Sequence, residues 1–413
     1  MFIKLFSSPS RSRLRVRAGP LALHLNGFAD QLATQGYSRY FARLKLATVC
    51  DFGAWIKHKG LDVTALDGRC MEAFLQTREP RRSSRHGEPA TGRQLLAYLR
   101  ENGCIPPASP PPNDDSPVDR IMHSYERFLV NERGLSRTTI DCYLPVARAF
   151  VCERFGESPI ELERLSGRDA NQFVLGLADR LGTSRCKQAV TALRSFLRHL
   201  HQRGDLSADL ARAVLPVRQW RLSELPRALT PEQVEALLES CDTRTAVGRR
   251  DRAILLLLAR LGLRAGEVAA LTLDDFDWRA GVVTVPGKGR RRDALPVPSE
   301  VGRAVAEYLQ ADRPQSPTRH VFVRMRAPRR EFHSYLAVTC VVRRALARAG
   351  LDGGGGAHLL RHSLATGMLR NGATLEDIGQ ILRHAQPETT QIYAKVDLEA
   401  LRTVAPTWPG GAA

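Results

Sequence analysis

Apolar residues recur at helical spacing through most of the chain, with strand-like alternation confined to one short stretch. Helical periods cover residues 122–131 and residues 137–154, the second through Tyr143, Leu144, Val146, Ala147 and Phe150. Another runs through Cys186, Val190, Leu193, Phe196, Leu197 and Leu200, with Lys187, Arg194, Arg198 and Arg203 on other positions. From residue 230 the pattern changes. Helices are predicted at 231–239, 249–261, 300–311, 336–349, 359–371, 375–382 and 397–404. Thr230 can cap the first of these, Pro231 suits its first turn, and Gln233 can complete a capping box. Short strands fit 277–278, 282–285 and 294–297, with Pro286-Gly287-Lys288-Gly289 as the turn between the last two. The expected fold is mainly α with a small antiparallel β-sheet.

Breaks in this pattern divide the chain. Residues 1–76 read as an N-terminal helical domain and 77–119 as a linker. That linker has a short helical piece near 93–102 and prolines at Pro106, Pro107, Pro110, Pro111 and Pro112, which deny helical hydrogen bonds. Residues 120–211 form a second helical domain, 212–228 a basic connector, 229–405 the α+β domain and 406–413 a flexible tail. The two helical segments look distantly alike. Gly36-Tyr37-Ser38 followed by Phe52 matches Gly134-Leu135-Ser136 followed by Phe150, and Leu66-Asp67-Gly68-Arg69 followed by Phe74 matches Leu165-Ser166-Gly167-Arg168 followed by Phe173. The constant offset points to a degenerate repeat.

Charge narrows the partner. Of 413 residues, 61 are Lys or Arg and 43 Asp or Glu, a formal net charge of +18. Such a field attracts polyanions, nucleic acid first and an anionic membrane second. The most apolar run, 253–263, contains Arg260 and is shorter than the ~20 residues that span a bilayer. The N-terminus has no apolar segment of the kind that precedes a secretory cleavage site, so a cytoplasmic location is expected. The eight cysteines have no zinc-ligand spacing and read as mostly buried thiols in a reducing compartment.

Candidate chemistry comes from six polar residues in the last domain. Arg264 follows an apolar helix that stops at Gly262, and Gly266-Glu267 opens the next helix. Lys288 occupies the hairpin tip, followed by Arg290, Arg291 and Arg292. His358 and Arg361 are three apart and share a helical face. His384 ends another helix, and Tyr393 follows nine residues later in Thr389-Thr390-Gln391-Ile392-Tyr393. Each alone is an ordinary surface or packing residue. The ordered set resembles the active-site signature of the tyrosine recombinase, or phage integrase, family: Arg, Lys, His-x-x-Arg, His and Tyr.

The resemblance implies that residues 120–211 are a core DNA-binding domain and 229–405 the catalytic domain, the two clamping duplex DNA. It matches Arg264 and Arg361 to the catalytic arginines, Lys288 to the hairpin lysine, His358 and His384 to the histidine positions and Tyr393 to the nucleophile. Two guanidiniums suit the charge spread over a phosphodiester transition state. His358 is the expected acceptor of the tyrosine proton and Lys288 the expected donor to the leaving 5′-oxygen. A 3′-phosphotyrosyl intermediate then retains the bond energy, so the resemblance implies no metal, ATP or other cofactor. Glu267 is expected to support Arg264, and His362 to be structural. Lys187, Arg194, Arg198, Arg290, Arg291 and Arg292 are expected phosphate contacts. Many family members have Leu-Gly-His where this chain has Leu382-Arg383-His384, so Arg383 is expected to touch DNA or a neighbouring subunit. The implied partners are specific duplex sites, a homotetramer on two of them, and a partner recombinase or DNA-bending accessory protein. A type IB topoisomerase-like relaxing enzyme and a non-cleaving accessory DNA-binding protein are the alternatives. The extra N-terminal domain tilts the reading toward a mobile-element integrase or transposase.

Overall fold

The computed structural model describes residues 18–77, 87–107, 116–156, 158–218, 227–286, 292–332, 334–351, 355–384 and 386–396. The chain divides into two compact units, residues 106–223 and the remainder, in which residues 1–105 join 224–413.

In the N-terminal module, α1 (Leu25–Thr34) leads into α2 (Arg39–Lys59), α3 (Gly68–Gln76) and α4 (Glu88–Glu101). Ser38 caps α2 by accepting from the Phe41 amide, and Gly60 closes it in the left-handed region at φ 66°. Asp67 caps α3. Phe28, Leu46, Phe52, Ile56 and Phe74 pack into one core with Leu95, Leu96 and Leu99. Helix α4 therefore completes this module rather than standing in a linker, which corrects the expected 77–119 boundary. Its apolar residues at i, i+1 and i+4 form a face that water disfavours, and the module supplies the cover. The flanking residues 78–86 and 108–115 lie outside the described residues.

The second unit repeats this order. Helix α5 (Pro117–Arg127) runs into a π-helical turn (Phe128–Glu132), then come α6 (Arg137–Phe155), α7 (Gly167–Ala178) and α8 (Thr183–Gln202). Ser136 caps α6 as Ser38 caps α2, and Ser166 caps α7 where Asp67 caps α3. Phe150 and Phe173 meet edge to face here, as Phe52 and Phe74 meet at a tilt in the first module. The cysteines depart from expectation: only Cys50, Cys186 and Cys241 are buried, while Cys142, Cys152 and Cys340 are exposed. Cys142 and Cys152 fall on the outward face of α6, away from the Ile140, Ala147 and Val151 positions that fill the core.

In the C-terminal half, α9 (Pro231–Glu239) is followed by α10 (Ala246–Leu261) and the short α11 (Ala265–Ala270). Seven successive residues of α10, 253–259, are buried, so this helix is covered all round and forms the centre of the core. Strands β1 (Phe276–Asp277), β2 (Val282–Pro286) and β3 (Arg292–Pro296) make an antiparallel sheet in that order, with Val283 opposite Leu295. Val283 and Val285 point inward at the period of two that pleating imposes. Helices α12 (Ser299–Glu307), α13 (Tyr335–Arg348), α14 (Ala357–Arg370) and α15 (Leu375–Ile381) follow, then a 3-10 segment, Pro387–Val396. The N-terminal module meets this half through a backbone hydrogen bond from the Arg329 amide to the Gln35 carbonyl, 2.8 Å. Among the described residues no helix is long and apolar enough to cross a membrane. Residues 397–404, an expected helix, lie outside the described residues.

One buried group sets a pH dependence. His199 on α8 is 4% exposed against the rings of Tyr125 and Phe128, and burial pushes its pKa down from 6.5 to about 4. Unfolding lets it take up a proton between those values, so it stabilises the fold above pH 6.5 and that contribution is lost as pH falls toward 4. The melting temperature of the wild-type chain should fall more steeply over this window than that of His199→Gln. Parallel pH profiles from the two proteins would contradict the assignment.

Candidate active site

The site grows from the end of α10. Gly262 takes φ 58°, a left-handed cap that stops the helix and turns the chain into α11. Arg264, the residue before α11, is partly exposed, and its amide donates to Glu267 Oε2 at 2.8 Å while its Nη1 donates to Glu267 Oε1 at 2.7 Å. One carboxylate thus fixes both the backbone and the guanidinium of Arg264, and the supporting role expected of Glu267 has this geometry.

Arg361 on α14 is 4% exposed. Its guanidinium donates to two backbone carbonyls, Gly262 O at the end of α10 and Leu382 O at the end of α15. Burial and the neighbouring charge of Arg264 pull its pKa down to about 10, so it stays charged at neutral pH. His358, one turn earlier, is exposed, and His362 lies half-buried on the following turn with ring centroids 6.4 Å apart.

Tyr393 is 1% exposed and packs on Ala365, Ile378 and Leu382. Its hydroxyl hydrogen-bonds to His362 Nδ1 at 2.8 Å, and its ring stacks on His384 with centroids 6.4 Å apart. In this arrangement the hydrogen-bond partner of the Tyr393 hydroxyl is His362, expected to be structural, rather than His358. Both lie on one face of α14, four residues apart, and only the placement of the 3-10 segment selects between them. Burial raises the Tyr393 pKa while Arg361 opposes it. Burial, His358 and Arg361 all push His362 down, leaving it neutral and able to accept. His384 is also pushed down, to about 4, by burial and by Arg361, Arg264 and His362, and its Nδ1 pairs with Thr390 Oγ1 at 2.7 Å.

Arg383 departs from expectation. It is the C′ residue of α15: its amide donates to Gln380 O at 3.0 Å and the His384 amide to Gly379 O at 2.9 Å, a Schellman ending. Its φ is 53°, the one positive value at a non-glycine among the described residues. That conformation costs about 1–2 kcal/mol for an L side chain. The side chain turns inward, 9% exposed, and Nη2 donates to Glu267 Oε2 at 2.7 Å. Burial lowers its pKa, against the pull of Glu267.

Two further expected phosphate contacts have partners within the chain. Arg194 Nη2 donates to Val214 O at 2.7 Å, closing the end of the second helical unit on α8. Arg292 pairs with buried Asp275, joining β3 to the turn before β1. Lys187 and Arg198 are exposed on α8. Lys288, Arg290 and Arg291 lie outside the described residues.

Two arginines, three histidines and a tyrosine hydroxyl converge here on one half of the molecule. Comparison with known proteins identifies the family. The model of the phage integrase family matches residues 227–399. A putative integrase/recombinase y4rA of Sinorhizobium fredii is 42% identical over 411 residues, 99% of this chain and 100% of the relative. Tyrosine recombinase XerD of Mycobacterium tuberculosis is 32% identical over 306 residues, covering 70% of this chain and 96% of its own. Among solved structures, XerH site-specific recombinase bound to palindromic difH substrate aligns with a TM-score of 0.56 at 20% identity, covering 83% of this chain and 94% of that one. The chain belongs to the phage integrase, or tyrosine recombinase, family. Its function is that family's site-specific DNA recombination.

Gly262 tests the local construction. A Cβ there would sit 2.7 Å from Leu382 Cδ2 and 3.0 Å from Leu364 Cδ2, at a φ that side chains avoid. Gly262→Ala should cost about 1–3 kcal/mol of stability, read from the urea midpoint. An unchanged midpoint would contradict this account of the α10 ending.

Proposed function

We propose that the chain cuts and rejoins duplex DNA with Tyr393 as nucleophile, Arg264 and Arg361 as phosphate ligands, and His362 as the first acceptor of the tyrosine proton. The observation that carries this reading is the Tyr393 hydroxyl on a neutral imidazole, within reach of the field of Arg361.

A phenol of unperturbed pKa about 10 is protonated at neutral pH, and burial here raises it further. Attack therefore needs a base. In the proposed step the Tyr393 oxygen bonds to the scissile phosphorus, its proton passes to imidazole, and the bond to the 5′-oxygen breaks. Charge on the non-bridging oxygens falls to Arg264 and to the N–H groups that Arg361 does not spend on Gly262 and Leu382. Neutral His384 can donate from Nε2 when its Nδ1 accepts from Thr390. Lys288 supplies the leaving-group proton by its match to the family motif. A 5′-hydroxyl then attacks the phosphotyrosyl bond and the same steps run backward. Because Tyr393 is 1% exposed, the 3-10 segment that carries it must shift before a phosphate can reach the hydroxyl.

The substrate is duplex DNA carrying specific sites, engaged by a homotetramer on two sites; exposed Lys187 and Arg198 are the remaining described candidates for backbone contact from the second unit. Integration of a mobile element is the favoured role. The 42%-identical relative extends through the N-terminal module, whereas the match to XerD covers only 70% of this chain.

Nicked suicide duplexes tiled across the DNA flanking the coding sequence test the reading. Wild-type protein should form a covalent adduct, and Tyr393→Phe should form none. Arg264→Ala and Arg361→Ala should each slow adduct formation by about 10²–10³-fold or more. Binding of such duplexes without any adduct would point to an accessory DNA-binding protein instead.

His362→Phe separates the two histidines. It should slow the adduct about 10²-fold, whereas loss of rate only in His358→Phe would restore His358 as the proton acceptor.

A further inference from the structure

Glu267 presents a difficulty for a site that binds phosphate. Its carboxylate lies directly on Arg264, and an ion pair alone would cancel the charge that a phosphodiester needs. A second guanidinium sits on the other side. Arg383 Nη2 donates to Glu267 Oε2, the same oxygen that receives the Arg264 amide, and the Arg383 carbonyl accepts from Arg264 Nη2 at 3.4 Å. Arg383 Nη1 is buried without a hydrogen-bond partner among the described residues, and Asp293 at the base of the Lys288 hairpin acts on this guanidinium electrostatically.

This residue occupies a position where the backbone favours glycine. The Schellman ending of α15 puts Arg383 at φ 53°, and no side chain is required there to close the helix. A strained backbone, a nine-tenths-buried guanidinium and a shared carboxylate converge on the arginine that faces substrate.

We propose that Arg383 is a positioning residue for Arg264: its guanidinium neutralises and orients Glu267, and its carbonyl holds Arg264 Nη2, so that Arg264 meets the scissile phosphate with its charge uncancelled. With Arg264, Glu267, Arg383 and Arg361 together, the cluster keeps two positive charges, against one without Arg383. The inference rests on the assignment of Arg264 as a phosphate ligand.

Arg383→Gly is the informative variant, because it removes the guanidinium and relieves the backbone at once. Its melting temperature should equal or exceed that of wild type, and its Kd for the reactive suicide duplex should stay within about 3-fold. Adduct formation at saturating duplex should slow by about 10–100-fold, less than loss of a direct phosphate donor. Arg383→Lys should recover part of that rate. Glu267→Gln supplies the second arm: once the carboxylate is neutral, adding Arg383→Gly should slow the reaction by no more than about 3-fold further. Multiplicative losses in the double variant, an Arg383→Gly rate within about 2-fold of wild type, or a deficit confined to Kd would overturn the inference. A wild-type chain that forms no adduct sinks the Arg264 assignment and this inference together; a reactive wild type beside an equally reactive Arg383→Gly sinks this inference alone.

Discussion

The catalytic half depends on one buried guanidinium. Arg361 reaches from α14 to the carbonyl that ends α10 and to the carbonyl that ends α15. Helix ends leave carbonyls without partners, and such groups are costly in an apolar core. Arg361 satisfies two of them and thereby ties α14 to the points where two other helices stop. Arg264 follows the first ending by two residues, and Arg383 and His384 follow the second directly. The same tie leaves Tyr393 packed on Leu382 and Ala365, with its hydroxyl on the turn of α14 that carries His362. In the proposed reaction the residue that binds phosphate by its charge is thus also the residue that assembles the pocket. Loss of activity on replacing it mixes both effects, whereas Arg264, partly exposed, gives the cleaner measure of phosphate binding.

Electrostatics then decide protonation. Burial and clustered positive charge hold His362 and His384 below the usual histidine value, and Arg361 and Arg264 act in the same direction on the more exposed His358. Neutral imidazoles can take a proton from Tyr393 or donate a hydrogen bond, but add no standing charge. The standing charge is left to the arginines, and Glu267 is the anion paired with two of them. That division suits a reaction in which negative charge grows on phosphate while a proton leaves a phenol.

Much of this was readable from residue order. Helical periods located α5, α6 and α8, a capping box located α9, and the Gly-flanked hairpin located β2 and β3, because each depends on local spacing and turn chemistry. The set Arg264, His358, Arg361, His384 and Tyr393 was also legible, and the structure brings these five together. What was not legible depends on packing at a distance. Either His358 or His362 could face the tyrosine from one helical face, and the choice is made by the 3-10 segment. Arg194 and Arg292 carry the same charge as Arg198, yet each has a partner within the chain, Val214 O and Asp275, the Arg292 side chain remaining exposed. Arg383 read as an added surface charge, since sequence does not reveal that its backbone turns left-handed. Helix α4 was separated from its module by a polar stretch, although its Leu95, Leu96 and Leu99 face belongs to the N-terminal core.

The N-terminal module repeats the helix order and capping pattern of the second unit, so the repeat noticed in sequence has a structural counterpart. It does not alter the chemistry, whose groups all lie after residue 261. The claim that those groups serve a tyrosine nucleophile is tested most directly by digesting the trapped protein–DNA adduct and sequencing the nucleotide-bearing peptide by mass spectrometry. The account predicts a single linkage, from the 3′-phosphate to the Tyr393 oxygen. A linkage to any other side chain, or to the 5′ end of the broken strand, would contradict it.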